Sequence, residues 1–449
     1  MESTRRNFIK SLAGGATLLP WLGLPRIGQA QSQGFSRSFV FVYFSGGWDT
    51  LLCLDPRDPG VFTESRIDQT KIQLGWDRIP NNFDRSIIRP SGSNIDFGPV
   101  MGGIAPHYDK LSIVRGLSMD TVTHEVGRRY MNTGMTPRGL SAAGSSIGTR
   151  IVAQQGEHTA IPNLVSRCET YNEGLPPFSS GLSVNGSEDL VLTLQDGPNA
   201  PPELVRNHLE EFRAKSVPCD PSRINRGGLM SLVSDTQARA RGLVTSGIAN
   251  YFNFASTSDP EINALRARYG ISNNNQNRSP SQAAMAFQAL RYNIAQSVSI
   301  EIAGGLDTHD DTWADDHPTI LAQGFTALGQ LVTDLSETND EQRGGKLIDH
   351  TTIVVFSEFG RTALINTRGG RDHSLTSAAM LIGAGVPHNR VIGASSDVGM
   401  NPLPINAMTG EVEDGGITIT PTKLMASVLA SAGYKTEALR EDGIPALIG

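Results

Sequence analysis

The chain has 449 residues, 38% of them apolar and 18% charged, with 48 glycines, 25 prolines and a formal charge of −7. That length suits one large α/β domain or two smaller ones with a sizeable core, and the composition excludes a disordered or fibrous chain. An acidic balance with no basic run argues against nucleic acid or an anionic membrane surface as a partner.

The first thirty residues read as an address. Thr4-Arg5-Arg6-Asn7-Phe8-Ile9-Lys10 resembles the twin-arginine export signal. An uncharged, mostly apolar stretch follows from Ser11 to Pro25, and Gly28-Gln29-Ala30 offers a small-x-small cleavage site. Glycine and proline break the apolar stretch, which is too short for a stable membrane span. We therefore expect residues 1–30 to be a signal peptide and residues 31–449 a periplasmic or secreted protein, with no integral membrane segment after cleavage. Clients of this route cross the membrane folded, often with a metal or cofactor in place. Losing Arg5, Arg6, Lys10, Arg26 and Glu2 takes the formal charge from −7 to −10. An oxidising compartment permits disulfides. Of Cys53, Cys168 and Cys219, the last two could pair, and the spacings fit neither a zinc knuckle nor a redox pair.

In chain order, residues 38–44 (SFVFVYF) are β-branched and aromatic and run into Ser45-Gly46-Gly47-Trp48-Asp49, a buried strand entering a turn. Leu51–Leu54 is strand-like. Residues 111–114 (LSIV) read as a strand and 123–132 as a helix. From Pro201 to Gly305 the pattern is a succession of helices, each opened by Pro, Asp or Ser; the last covers 281–302 and runs into Gly304-Gly305-Leu306-Asp307-Thr308-His309. Residues 270–280 form a polar loop. Strands return at 351–356, 378–382 and 391–392, and residues 420–434 form an amphipathic helix with Pro421 in its first turn. Strands separated by long connections imply a doubly wound, mostly parallel α/β sheet with helices on both faces and a helical insertion at 201–303.

Ligands of such sheets bind outside the carboxyl ends of the strands. Nearly every such end carries an acid, a histidine or both: Asp49 after the first strand, His124 with Glu125 after the second, Asp307 and His309 after residue 303, Glu358 after the strand at 351–356, and Asp372-His373 in the loop beyond. Singly, each is as readily a helix cap, turn residue or surface histidine. Together, with no cysteine among them, Asp49, His124, Asp307, His309, Glu358 and His373 suit one or two divalent ions such as Zn²⁺, Mn²⁺ or Mg²⁺. Arg361 and Arg371 flank them and have the forked geometry that phosphate or sulfate oxygens favour, or they form ion pairs with surface acids. His107, His158, His208, His317, His350 and His388 lack this setting and read as structural or exposed.

The order of these motifs resembles the alkaline phosphatase superfamily. GGWDT, GGLDTH, VVFSEFGRT and GRDHS are similar more specifically to the exported bacterial proteins grouped as domain of unknown function 1501, over nearly all of the mature chain. The resemblance implies a doubly wound sheet with one or two metal ions at the strand ends. By it, Asp49 matches an aspartate of one metal, and Asp307 and His373 match ligands of the other. Glu358 stands where the superfamily has an aspartate. Two departures follow. The histidine expected next is Phe359, and the nucleophile expected at the start of the helix ending in Thr133-Gly134 is His124. An imidazole from His124 could supply the missing nitrogen, and hydrolysis would then use a water activated by the metal, at a pKa near ~7. The expectation is a metal-dependent hydrolase acting on an anionic phosphate or sulfate ester, of a small molecule or glycan. The alternative is a non-catalytic, metal-stabilised binding or scaffold protein of the same fold.

Overall fold

The computed structural model describes residues 35–197, 200–215, 229–276 and 278–449. The expected signal peptide and Cys219 lie outside them, and with Cys219 the expected disulfide. Among the described residues no helix is long and apolar enough to cross a membrane. Two compact units emerge. The smaller includes Leu194–Ile248, with helices Glu203–Lys215 and Leu229–Thr245. The larger comprises Gly34–Thr193 with Ala249–Gly449. The expected helical insertion at 201–303 is thus divided, its second half belonging to the larger unit.

The larger unit is built on an eight-stranded sheet. Its strands are β1 (Ser38–Phe44), β2 (Leu111–Ser118), β3 (Asn163–Ser166), β4 (Leu182–Val184), β5 (Ser297–Ala303), β6 (Thr351–Phe356), β9 (Thr376–Gly383) and β10 (Arg390–Ile392), with β7 (Gly360–Arg361) and β8 (His373–Ser374) forming a separate two-stranded ribbon. The order is β10-β2-β9-β6-β1-β5-β3-β4. All pairings are parallel except those of β9, which runs against both β2 and β6. The mostly parallel α/β fold is therefore present, with one reversed strand.

That reversal positions the site. Because β9 points the other way, its start lies at the edge where β1, β2, β5 and β6 end, so the residues just before it join the loops that follow those four strands.

Every residue of β1 and β6 is buried, as central parallel strands covered on both faces require. Alternate side chains serve opposite layers. Phe39, Phe41 and Tyr43 belong to a core with Met131, Ile147, Ile151, Met425 and Val428, from helices His124–Thr133, Ile147–Gln155 and Pro421–Ala430. Phe44 meets Phe325 of helix Asp316–Glu337 on the other face, ring centroids 4.8 Å apart.

Two elements differ from their sequence reading. The helix expected over 281–302 is a helix at Ser279–Arg291 followed by strand β5. Asn293 has a left-handed backbone (φ 50°) that ends the helix, and Ser297-Val298-Ser299-Ile300 then alternates with the strand period. The run Leu51–Leu54 is a buried turn, not a strand.

Candidate metal centre

Four histidine and aspartate side chains meet where these loops converge. His124 opens helix His124–Thr133, with Thr123 in extended conformation before it. Asp307 and His309 follow β5. His373 lies in the ribbon, directly across from Arg361. His124, Asp307 and His373 each offer one ligand atom, all within 4.8 Å of one another. His309 joins through two of them: its Nε2 is 3.0 Å from Asp307 Oδ1 and 2.9 Å from His373 Nε2.

All three rings are set the same way. His124 Nδ1 lies 2.8 Å from Glu358 Oε1, His309 Nδ1 2.7 Å from Asp372 Oδ1, and His373 Nδ1 2.7 Å from the carbonyl oxygen of Val122. Each partner is a pure acceptor when Glu358 and Asp372 are ionised, so each Nδ1 carries the proton and each Nε2 presents its lone pair. The Nε2 atoms of His124, His309 and His373 stand 3.3, 3.0 and 3.2 Å from one oxygen, Asp307 Oδ1. His124 Nε2 is buried and forms no hydrogen bond of acceptable geometry among the described residues. Lone pairs so placed suit a cation, and the Arg361 guanidinium already lies beside them, its Nη1 3.4 Å from His309 Nε2. Three imidazole nitrogens and a carboxylate, each imidazole oriented from behind by an acceptor, could hold a divalent metal ion. The residues fit.

Electrostatics agree with that division of labour. Burial pushes the Asp307 carboxyl up, but Arg361 Nη2, donating at 2.6 Å, outweighs it and holds Asp307 well below the usual carboxylate range. Glu358 is almost fully buried, yet it too is held low: His124, the backbone N–H of Gly46 at 2.9 Å and the Ser357 hydroxyl at 2.9 Å more than offset desolvation. Its hydrogen bond raises the His124 ring above the ordinary imidazole value. Burial lowers that of His373. The Asp307 side chain remains 48% exposed, so the cluster faces solvent on one side.

The other expected site residues are placed elsewhere. Asp49 is 1% exposed, and its Oδ2 takes an ion pair from Arg371 Nε at 2.7 Å and a hydrogen bond from Trp313 Nε1 at 3.0 Å. Its Oδ1 accepts from the backbone of Leu51. Both oxygens are engaged, so Asp49 is corrected from a metal ligand to the partner of a buried arginine. Arg371 is fully buried and donates to the carbonyls of Thr362, Gln73 and Leu74, which leaves no nitrogen for a substrate anion. Arg361 is equally buried and donates to the carbonyls of Gly46, Gly47 and Arg371 as well as to Asp307; it positions a ligand and does not face substrate. Glu358 sits behind His124 rather than beside Asp307. Phe359 fills the space between, its ring centroid 4.7 Å from that of His124 and 4.4 Å from that of His373.

Sequence reasoning missed three supporting residues. Asp372 orients His309, and Asn366 Nδ2 bonds both Asp372 Oδ1 and the His309 carbonyl at 3.0 Å. His317, set aside as structural or exposed, is fully buried; its Nε2 accepts from the Asp49 backbone N–H and its Nδ1 donates to Thr308, tying the first-strand loop to the Asp307 loop. Only Asp372 carried a signal, its place beside His373.

The family model described as a protein of unknown function, DUF1501, matches residues 36–432. The chain belongs to the DUF1501 family. No curated protein matches this DUF1501 chain. Among solved structures it is similar to Ps i-CgsB in complex with k-i-k-neocarrahexaose (11% identity, 91% of this chain and 75% of that one, TM-score 0.38). It is also similar to a protein in the alkaline phosphatase superfamily from Vibrio parahaemolyticus (9%, 90% and 68%, TM-score 0.37). A third is the phosphonate monoester hydrolase SpPMH from Silicibacter pomeroyi (11%, 92% and 76%, TM-score 0.33).

Proposed function

We propose that this DUF1501 protein is exported by the twin-arginine route and is a metal-dependent hydrolase of phosphate or sulfate esters, holding one divalent ion. The observation that carries the reading is the convergence of three Nε2 atoms on the half-exposed Asp307 Oδ1. His124, His309, His373 and Asp307 would hold the ion. Three nitrogens and one oxygen suit Zn²⁺ better than Mg²⁺, which prefers oxygen. One ion is supported over two because the Arg371 guanidinium already neutralises Asp49 and Phe359 occupies the intervening space.

A divalent ion there would supply Lewis-acid chemistry, acidifying a water and drawing charge from an ester oxygen. The chain's own residues fix that arrangement. Glu358, Asp372 and the Val122 carbonyl keep the three rings in one tautomer, and Arg361 locks the carboxylate. His124 stands where the superfamily resemblance expects a hydroxyl nucleophile, and Glu358 engages its Nδ1 while its Nε2 faces Asp307. Direct attack by water is therefore the route the residues support. The export reading rests on the motif at Thr4–Lys10.

One observation favours a second reading. Neither Arg361 nor Arg371 has a free nitrogen for a substrate anion, as a non-catalytic, metal-stabilised binding or scaffold protein would allow. The deciding test is turnover of p-nitrophenyl phosphate and p-nitrophenyl sulfate by protein loaded with Zn²⁺ or Mn²⁺. Turnover that disappears with chelator and returns with metal supports the hydrolase. Full metal loading with no turnover of either ester supports the scaffold.

A further inference from the structure

Arg361 brings a fixed cation to the histidine cluster. Its side chain is fully buried, and an acceptor faces each of its five N–H groups. Nε donates to the Gly47 carbonyl at 3.0 Å, Nη1 to that of Arg371 at 3.1 Å, and Nη2 to that of Gly46. Two N–H groups remain, and both reach atoms of the cluster. Nη2 lies 2.6 Å from Asp307 Oδ1, and Nη1 3.4 Å from His309 Nε2. The Phe359 ring packs against the guanidinium, its centroid 5.9 Å from Cζ. Three backbone carbonyls and an aromatic ring hold this cation, so it stays in place when an ion arrives.

Its effect on the centre changes sign with loading. Before an ion is bound, Arg361 neutralises Asp307 and donates to a His309 nitrogen that otherwise turns its lone pair toward His373 Nε2, 2.9 Å away. Glu358, Asp372 and the Val122 carbonyl hold the three rings from behind. The chain's own groups therefore suffice to assemble the cluster. Once an ion is bound, the same guanidinium is a like charge buried beside it, where water screens poorly. His309 Nε2 has one lone pair, which serves either Arg361 or the ion. The ion has to displace that donor and then face the charge that remains.

Resting on the metal-site reading above, we propose that Arg361 and the divalent ion are competing counter-cations of Asp307 and His309. The guanidinium keeps the centre assembled before loading and weakens the ion's hold afterwards, so loading follows folding and the ion exchanges. The coupling is reciprocal: whatever Arg361 takes from ion binding, the ion takes from the contribution of Arg361 to stability.

The test compares the full mature chain with Arg361→Met and Arg361→Lys, measuring Zn²⁺ affinity by chelator competition and melting temperature in EDTA and in excess Zn²⁺. The wild type should melt cooperatively in EDTA. Arg361→Met should bind Zn²⁺ about 5- to 150-fold more tightly, the usual range of a coupling between two sites. It should also lose more melting temperature in EDTA than in Zn²⁺. Arg361→Lys keeps the charge but not the fork, and should bind Zn²⁺ about as tightly as the wild type. A role confined to positioning Asp307 gives weaker binding in both variants and the same loss of melting temperature with and without the ion; that result overturns the proposal alone. Should Arg361→Met fail to fold even with Zn²⁺, the lysine variant decides: wild-type affinity supports the proposal and clearly weaker binding overturns it. A wild type unfolded in EDTA also overturns it. A wild type that binds no Zn²⁺ overturns the metal-site reading, and the proposal with it.

Discussion

Arg371 Nε lies 2.7 Å from Asp49 Oδ2 with both side chains buried, Asp49 at 1% and Arg371 at 0% exposure. A fixed cation thus neutralises the first-strand aspartate where the superfamily resemblance placed a metal ion. Removing one partner strands the other charge in the core. Arg371→Met should destabilise the protein by ~3–5 kcal/mol, the usual cost of breaking a buried pair. Asp49→Asn should destabilise as well, because an amide has one acceptor oxygen for either Trp313 or Leu51, not both, and leaves the Arg371 charge unpaired. Chemical denaturation of both variants measures this. A neutral Arg371→Met would mean that the pair holds nothing together.

Gly46 determines how closely the first-strand loop approaches the Asp307 loop. Its backbone has φ +114°, and an added Cβ would lie 2.6 Å from the backbone nitrogens of both Leu306 and Asp307. Gly46→Ala should therefore cost ~2 kcal/mol or more and displace Asp307 from the histidines. Denaturation and metal content should fall together. A folded variant with full metal content would show that the loop has room to move.

Asp372 never faces the cluster directly; it works through His309 Nδ1. Asp372→Asn should lower metal affinity ~10–100-fold, the range for outer-sphere partners, with little loss of fold because its side chain is half exposed. Competition with a chromogenic zinc chelator gives the affinity. An unchanged affinity would remove Asp372 from the account.

Much of the fold was legible because apolar runs mark buried strands plainly: β1 and β6 carry the unbroken runs Phe39–Phe44 and Ile353–Phe356, each followed by a serine. The alternating residues of β5 directly follow a helix and carry serine and glutamate, so they read as its continuation. The reversal of β9 leaves no trace in composition, yet it brings His373 to the strand ends. At the site, acids and histidines after strands pointed to the correct edge. Which of them face one another did not follow from spacing, because Asp49 and Arg371 lie 322 positions apart in the sequence and each is satisfied by the other.

A pH test is available far from the cluster. Asp340 is buried, which pushes its carboxyl up, but the backbone N–H groups of Arg343 and Gln342 and the Arg343 guanidinium outweigh this and lower it below the ordinary value. A depressed folded value contributes stability above the unfolded pKa, about 3.9, and loses it as pH falls through the folded value. Asp340→Asn should thus cost ~1–2 kcal/mol at pH 7. The gap from wild type should shrink as pH falls below the unfolded value toward the lowered folded one. A gap that keeps its size as the pH falls would contradict the ionised contact.

The proposed centre holds one divalent ion between His124, His309, His373 and Asp307. Elemental analysis of the purified mature protein, wild type against His124→Ala, tests it most directly, with thermal melts of the same samples. Close to one ion per chain is expected in the wild type, with a large loss and a lower melting temperature in the variant, because metal bound only to the folded state stabilises it by mass action. An unchanged metal count in His124→Ala, or two ions per wild-type chain, would contradict it.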